Sequence, residues 1–271
     1  MSLTRGERYT HVHLDWQPPE AWLGHQPFRL LLQGRRAVAA LACMTDVPDT
    51  AWLRLFAVMD GFSRKQAWEW LWLEAHSELR RAGVPHVAVM CAHSAWLPPL
   101  LEAAGFAHTR DVILLRRPAE ELPAAPPSLF PLRPARPDDV DWLTHLDHLS
   151  FAPPWQLSRA AMQQALGQAA IASVVEIPPG EPGAGGLIGY QISTASLVTG
   201  HLARLGVHPA WQGRGLGRAL TFDALARFEQ MRLSQATVNT QADNVASTAV
   251  YQSLGFRPSH ERYPVYQLPA G

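Results

Sequence analysis

The stretch that decides the fold is Leu205-Gly-Val-His-Pro-Ala-Trp-Gln-Gly-Arg-Gly-Leu-Gly217, and the helical sequence Arg218-Ala-Leu-Thr-Phe-Asp-Ala-Leu-Ala-Arg-Phe-Glu229 follows it directly. This order predicts a strand, a glycine-rich turn and then a helix. Because Gly213, Gly215 and Gly217 carry no Cβ atom, successive backbone N–H groups can point to one spot at the positive end of the helix dipole. The stretch therefore predicts a binding site for an anion such as a diphosphate.

Two common phosphate-binding loops do not fit this spacing. The dinucleotide pattern requires a third glycine at position 218, which is Arg218, and the triphosphate loop requires Gly-Lys-Ser/Thr, which the chain lacks. The pattern that fits is hydrophobic-x-hydrophobic-x-Pro-x-x-Gln-Gly-x-Gly-x-Gly. With this pattern, the segment resembles the coenzyme A loop of the GNAT superfamily of N-acyltransferases. The alternative is a glycine-rich turn that only caps an ordinary helix.

A second motif begins about thirty residues after the glycine-rich turn. The segment Asp243-Asn244-Val-Ala-Ser-Thr-Ala-Val-Tyr251-Gln-Ser-Leu-Gly255-Phe256 is similar to the GNAT signature Asn-x-x-Ser/Ala-x-x-x-Tyr-x-x-x-Gly-Phe. Asn244 is predicted to cap a helix, and Gly255 is predicted to end it in the left-handed conformation. The spacing between the two motifs is typical of one helix plus one strand.

The resemblance implies an α/β fold in residues 129–268. Patterning of those residues predicts the order β-α-α-β-β-β-α-β-α-β, which is the GNAT arrangement. We therefore expect a mixed, mainly antiparallel central sheet flanked by helices.

An internal repeat indicates two such domains. Arg54-Leu55 matches Arg204-Leu205, and residues 92–106 match residues 242–256, each at a spacing of 150 positions. The proline-rich segment between the copies predicts a stiff, extended linker. We expect a GNAT-like domain at residues 1–118, a linker at 119–128 and an acyl-CoA-binding GNAT domain at 129–271.

The first copy lacks the residues of the predicted cofactor surface. At a constant spacing of 150, the three glycines are replaced by Ser63, Lys65 and Ala67, and Tyr251 is replaced by Leu101. Apolar residues at helical spacing are kept, including Trp68, Leu71 and Trp72. We therefore expect a degenerate first domain, in a layout that resembles the tandem architecture of mycothiol synthase.

The resemblance also implies which residues bind acetyl-CoA as a cosubstrate and which catalyse the transfer. Tyr251 is the expected general acid for the departing sulfur, and the general base is left open between His201, Glu176 and an ordered water. Gly206 is expected to ease a bulge between Leu205 and Val207, or only to relieve crowding. The expected cofactor-binding residues are Leu205, Val207, Gln212, Gly213, Arg214, Gly215, Gly217, Arg218 and Asn244.

Composition and charge argue against several other classes of function. The formal net charge is zero and the pI is about 7.2, which argues against a nucleic-acid partner. The two cysteines, Cys43 and Cys91, lie in apolar stretches, as is typical of reduced, buried thiols. No export core, membrane span or metal-ligand motif is evident, so we expect a cytoplasmic protein without a metal or a membrane partner.

The sequence thus predicts an N-acetyltransferase that transfers an acetyl group from acetyl-CoA to a primary amine by direct attack. The segment Phe151-Ala-Pro-Pro-Trp155 lies where GNAT enzymes shape the acceptor pocket, and its Pro-Trp resembles ribosomal-protein alanine N-acetyltransferases. The acceptor is left open between a protein N-terminus and a small-molecule amine. The alternative function is a non-catalytic acyl-CoA-binding sensor or interaction module.

Overall fold

The computed structural model describes residues 9–14, 19–47, 49–125, 130–178, 180 and 183–268. The chain divides into two compact units: unit 1 contains residues 1–111 and 262–271, and unit 2 contains residues 112–261. The domain limits predicted from the sequence, 1–118 and 129–271, differ from the bounds of these compact units. The predicted limits stay a prediction. Residues 126–128, at the end of the predicted linker, and residue 129 after it lie outside the described residues.

Unit 1 is built around a mixed sheet with the strand order β2-β3-β4-β5-β12. The β4/β5 pair is parallel and the other pairs are antiparallel, including a pair between β1 and β4. Trp68, Leu71 and Trp72 are buried against this sheet, as predicted. The elements are β1 (Tyr9–Val12), β2 (Phe28–Gln33), β3 (Arg36–Val47), β4 (Thr50–Val58), α1 (Arg64–Arg81), β5 (His86–Met90), α2 (Pro98–Ala103) and parts of β6 (Ala107–Pro118) and β12 (Arg257–Leu268).

Unit 2 has the strand order β6-β11-β10-β9-β8-β7, with β10 and β11 parallel and the other pairs antiparallel. The predicted order of elements is confirmed, and so is the α/β class with mixed, mainly antiparallel sheets. Besides the remaining parts of β6 and β12, the elements are β7 (Leu132–Pro134), α3 (Val140–Ser150), α4 (Arg159–Gln168), β8 (Ile171–Glu176), β9 (Leu187–Ala195), β10 (Thr199–Val207), α5 (Leu216–Gln230), β11 (Gln235–Gln241) and α6 (Val245–Gln252).

The internal repeat is visible in the elements, but its spacing is not constant. Strand β12 begins and ends 150 residues after β6, whereas α5 begins 152 residues after α1. The residue that caps the start of α1 is Ser63, and the corresponding residue of α5 is Gly215. The expected pairing of Ser63 with Gly213 is therefore wrong by two residues, because the turns before the two helices differ in length.

The first part of the predicted linker is fastened to unit 2. The guanidinium of Arg117 donates hydrogen bonds to the carbonyls of Glu120 and Glu121, both at 3.0 Å, and to the carbonyl of Leu254 at 2.8 Å. Leu122 packs against the core beside α5 and α6. Residues 119–125 form neither helix nor strand, but these contacts hold them against unit 2.

Both cysteines lie in unit 1. Cys43 and Cys91 are buried and unpaired, and burial raises the pKa of each thiol to about 12. Within the described ranges, none of the helices has the length and apolar character that a bilayer span requires.

Candidate functional site

The candidate site of unit 2 is a gap between two parallel strands. Strand β10 pairs with β11 only from Thr199 to Leu202, whereas its pairing with β9 on the other edge continues to Val207. A register shift at Ala203 marks the point where β10 leaves β11. We call the space between residues 203–207 of β10 and residues 239–241 of β11 the β10–β11 gap.

The backbone of β10 presents hydrogen-bonding groups to this gap. The amide of His208 donates to the carbonyl of Ile188 on β9 at 2.9 Å. Because successive residues of a strand point their amides and carbonyls to opposite edges, the backbone groups of Leu205 and Val207 face the β10–β11 gap. The carbonyl of Val207 already accepts from Nε2 of Gln212 at 3.1 Å. Both backbone groups of Leu205 and the amide of Val207 can therefore bind a ligand.

Gly206 does not form the bulge that the sequence suggested, because the register shift lies at Ala203. A Cβ atom at Gly206 would stand 2.4 Å from Cε1 of Tyr190. The alternative expectation, that this glycine relieves crowding, is the one that the structure supports.

The glycine-rich turn forms a cradle of backbone amides. Gly213 and Gly215 have φ of +74° and +81°, which side-chain-bearing residues rarely adopt, and a Cβ at either position would meet only open space. Helix α5 begins at Leu216, two residues before the predicted start, with Gly215 as its N-cap. A glycine cap has no side chain to bond the first helical amides, so these amides remain available to an anion.

Helix α6 carries the second motif. The side chain of Asn244 accepts a hydrogen bond from the Ser247 amide at 3.0 Å, so the predicted cap is confirmed. Tyr251 is only 4% exposed and lies edge-on to Phe256, and burial raises the pKa of its phenol above the ordinary value. Its hydroxyl has no hydrogen-bond partner among the described residues, so it can donate to a ligand.

The two candidate bases differ in their surroundings. Nδ1 of His201 lies 2.9 Å from Oγ1 of Thr237 on β11, and burial lowers the pKa of the imidazole below 6.5. His201 is therefore neutral at pH 7 and stands at the closed end of the β10–β11 gap. The carboxylate of Glu176 is instead bound by Arg133, which also binds Asp139. In the described ranges, no group of three or more metal-binding side chains comes together.

Two polar atoms that the sequence did not point to are buried without a partner within the described part of unit 2. They are Oδ1 of Asn239, on the same strand as Thr237, and Oγ1 of Thr248, on the same helix as Tyr251. Buried polar atoms are usually hydrogen-bonded in folded proteins. Their position on β11 and α6 therefore favours a polar ligand in this region.

A buried polar network lies beside the site. Asp147 on α3 is fully buried and accepts hydrogen bonds from the Tyr190 hydroxyl at 2.5 Å and from Nε of Arg204 at 2.8 Å. Burial raises the pKa of Tyr190 well above its usual value, so its phenol keeps the proton that it donates. No local sequence pattern joins these three residues, which come from one helix and two strands.

This network holds the segment that was predicted to shape the acceptor pocket. Arg204 donates to the carbonyl of Trp155 at 2.5 Å, and its guanidinium lies 3.7 Å from the ring centroid of Phe151. The other oxygen of Asp147 accepts from the amide of Leu157 at 2.8 Å. Because Arg204 directly precedes Leu205, the segment 151–155 is tied to the strand that borders the β10–β11 gap.

Comparison with known proteins finds a family match in the carboxy-terminal part of the chain. Residues 181–266 match the family described as Acetyltransferase (GNAT) domain. The carboxy-terminal part of this chain therefore matches a GNAT acetyltransferase domain. The prediction of a GNAT acetyltransferase is thus confirmed, and the matched residues include β9, β10, α5, β11, α6 and most of β12.

Curated relatives carry the name mycothiol acetyltransferase. The protein of that name from Tsukamurella paurometabola is 28% identical over 196 residues, which cover 66% of this chain and 67% of the relative. The one from Nocardia farcinica is 43% identical over 61 residues, which cover 22% of this chain. The chain spans only 20% of the length of the Nocardia relative in that match.

Solved structures show that the GNAT fold extends over nearly the whole chain. A tandem GNAT protein from the clavulanic acid biosynthesis pathway has a TM-score of 0.62 at 17% identity, covering 89% of this chain and 82% of that one. A GCN5-related N-acetyltransferase from Sphaerobacter thermophilus has a TM-score of 0.63 at 16% identity, covering 93% and 84%. The predicted tandem arrangement is confirmed at the level of the fold.

Proposed function

We propose that unit 2 binds acetyl-CoA and transfers its acetyl group directly to a primary amine. The observation that carries this proposal is the continuity of two binding surfaces. The unpaired edge of β10 leads, within a few residues, to the free amides at the start of α5. Acetyl-CoA has an extended, amide-bearing pantetheine arm that ends in a diphosphate. The arm matches the unpaired edge of β10, and the diphosphate matches the amides at the start of α5.

The residues present fit this cosubstrate. The amides of residues 213–218 hold the diphosphate, and the side chains of Arg214 and Arg218 add charge-assisted contacts. Arg214 is stacked on Trp211 at 4.6 Å, which limits its freedom before binding. Leu205 and Val207 bind the pantetheine arm through their backbone groups, and Oδ1 of Asn239 and Oγ1 of Thr248 supply further polar contacts.

Two proton transfers accompany the reaction, in which the amine nitrogen bonds to the acetyl carbon and the carbon–sulfur bond breaks. His201 takes the proton of the amine, directly or through water, with the ring nitrogen that Thr237 does not hold. Tyr251 gives its proton to the departing sulfur. Glu176 is not assigned this role, because its carboxylate is held by Arg133.

The acceptor is bound beside segment 151–155, which Arg204 and Asp147 hold in place. Relatives named mycothiol acetyltransferase favour a small-molecule amine over a protein N-terminus. No nucleic acid, membrane or metal takes part in the proposed reaction, and we expect it to occur in the cytoplasm.

Calorimetry with acetyl-CoA, followed by a thiol-release assay with a panel of amines and peptides, tests this function. We expect binding and turnover with at least one amine. Replacement Gly213→Val should weaken binding by tenfold or more, about 1.4 kcal/mol, because it disturbs the cradle. Gly83→Val is the matched control: Gly83 also has φ +74° with only open space around a Cβ atom, but it lies in unit 1.

Equal loss of binding in the two glycine variants would contradict the assignment of the cradle. Binding without turnover across a broad panel would favour the acyl-CoA sensor, and absence of any binding would rule out both functions.

A further inference from the structure

Unit 1 contains the counterpart of the β10–β11 gap. Strand β4 pairs with β5 in parallel only from Thr50 to Trp52, while its pairing with β3 continues to Val58 on the other edge. The same departure of one parallel strand from its neighbour opens the gap in unit 2. In unit 1, however, this edge of β4 does not stay unpaired.

Strand β1 lies in this position. Its residues Tyr9–Val12 pair antiparallel with Leu55–Val58, on the edge of β4 that β5 has left. The Met59 amide donates to the carbonyl of Val38 on β3, and the His13 amide donates to the carbonyl of Arg54, each at 2.9 Å. Adjacent residues of β4 thus bond β3 and β1 alternately, so the backbone groups facing the gap are satisfied by the chain itself.

Side chains attach β1 to the other wall of the gap as well. Nδ1 of His11 lies 3.4 Å from Oγ of Ser94, in the segment after β5. The ring of Tyr9 packs edge-on against Trp96, with 5.6 Å between centroids. His11 is fully buried, and its Nε2 donates to the carbonyl of Leu53 at 3.3 Å. Strand β1 therefore contacts both sides of the space.

The helix that follows β4 is capped by a side chain, unlike α5. The hydroxyl of Ser63, the N-cap of α1, accepts a hydrogen bond from the Gln66 amide at 3.3 Å. The guanidinium of the next residue, Arg64, lies over the ring of Tyr9 at 4.2 Å. In unit 2, the corresponding cap is Gly215, which has no side chain. A side-chain cap thus replaces the open glycine cap that would leave the first helical amides to a diphosphate.

We propose that residues 9–12 are a built-in occupant of the pantetheine groove of unit 1, and that the chain therefore binds a single acyl-CoA, in unit 2. The antiparallel backbone pairing of β1 takes the place that a pantetheine arm would take. This inference goes beyond the proposed function, since it concerns unit 1, whereas the proposed reaction takes place in unit 2.

A reversible cross-link tests the proposal in the full chain. Thr10 and Ala57 lie directly opposite each other, at a pair without mutual hydrogen bonds, where Cβ atoms approach most closely. The double variant Thr10→Cys, Ala57→Cys should form a disulfide with oxidised glutathione. The matched control is Tyr9→Cys, Ala57→Cys. Tyr9 and Thr10 are adjacent on β1 and point to opposite faces of the sheet, so a cysteine at position 9 points away from position 57 and no cross-link is expected.

The stoichiometry of acetyl-CoA binding is then measured by calorimetry in the oxidised and reduced forms. We expect one acetyl-CoA per chain in both forms. Cross-linking fixes β1 in the gap of unit 1, where no acetyl-CoA binds, and leaves the site of unit 2 unchanged. Failure to cross-link, or two sites in the reduced form and one in the oxidised form, would overturn the proposal. A chain that cross-links but binds no acetyl-CoA in either form would support the built-in occupant and contradict the proposed function of unit 2.

Discussion

At the residue scale, removal of the Tyr251 hydroxyl should change the catalytic rate without changing the stability of the fold. It is a single oxygen on a buried ring and has no hydrogen-bond partner within the described residues. Replacement Tyr251→Phe should lower kcat by about a hundredfold, the usual scale for one proton-transfer group. Acetyl-CoA affinity and the free energy of unfolding should change little. Steady-state kinetics, calorimetry and urea unfolding check this, and an unchanged kcat would remove Tyr251 from the mechanism.

His201 makes a prediction about pH. Its pKa is lowered below 6.5 by burial, so the imidazole is neutral above that lowered value and protonated below it. We expect kcat/KM to stay constant as pH falls from 8 to about 6.5, and to decrease when pH falls through the lowered pKa. The variant His201→Gln should lose about a hundredfold in kcat/KM, together with this acidic limb. An acidic limb that persists in the variant would assign the base elsewhere.

Two glycines of the site should respond oppositely to alanine. A Cβ atom at Gly206 would meet Tyr190, which is fully buried and bound to Asp147, so Gly206→Ala should cost about 1–3 kcal/mol of unfolding free energy. At Gly217 the nearest atom would be 3.9 Å away, and alanine favours a helix. Gly217→Ala should therefore keep or raise stability while weakening acetyl-CoA binding. Unchanged affinity in this variant would argue against a diphosphate at the start of α5.

At the element scale, the buried pair of Asp147 and Arg204 joins α3 to β10 and holds segment 151–155. Replacement Arg204→Met leaves the Asp147 carboxylate buried without its charged partner and should cost about 3 kcal/mol. It should also raise the KM for the amine more than the Kd for acetyl-CoA, because the freed segment borders the acceptor. Urea unfolding and steady-state kinetics measure the two effects.

The double variant Asp147→Leu, Arg204→Met is the control for this pair. It removes both charges, so its loss of stability should be smaller than the sum of the two single losses. Additive losses would show that the two side chains act independently.

At the scale of the whole molecule, two histidines, His11 in β1 and His13 just after it, link stability to pH. The pKa of His11 is lowered to about 4 by burial, and burial, with the charges of Arg54 and His11, lowers that of His13. The unfolded chain therefore binds more protons than the folded chain between about pH 4 and 6.5. Stability is fully present above pH 6.5 and decreases as pH falls toward 4. For His11 alone, the loss at pH 5 is about 2 kcal/mol.

Urea unfolding at pH 7.5 and pH 5 measures this loss. The variant His11→Gln should show a smaller difference between the two pH values, since it removes one of the groups that must stay neutral. An equal free energy of unfolding at pH 7.5 and pH 5 in the unmodified chain would contradict the lowered pKa values of these histidines.

The elements and motifs with local causes could be predicted from the sequence. Left-handed glycines at 213, 215 and 255 follow from φ values that other residues avoid, and the cap at Asn244 follows from a side chain three residues before the amide that it binds. The order of strands and helices in unit 2 follows from the same local patterning. These features need no information about distant parts of the chain.

What only the tertiary structure decided depends on contacts between residues far apart in the chain. The register shift at Ala203 arises from pairing with β9, and the crowding of Gly206 arises from Tyr190 on that strand. The network of Asp147 joins three elements, and β1 meets β4 across more than forty residues. A strand edge accepts any backbone that reaches it, so which segment fills the gap in unit 1 is set by three-dimensional proximity and not by a local pattern.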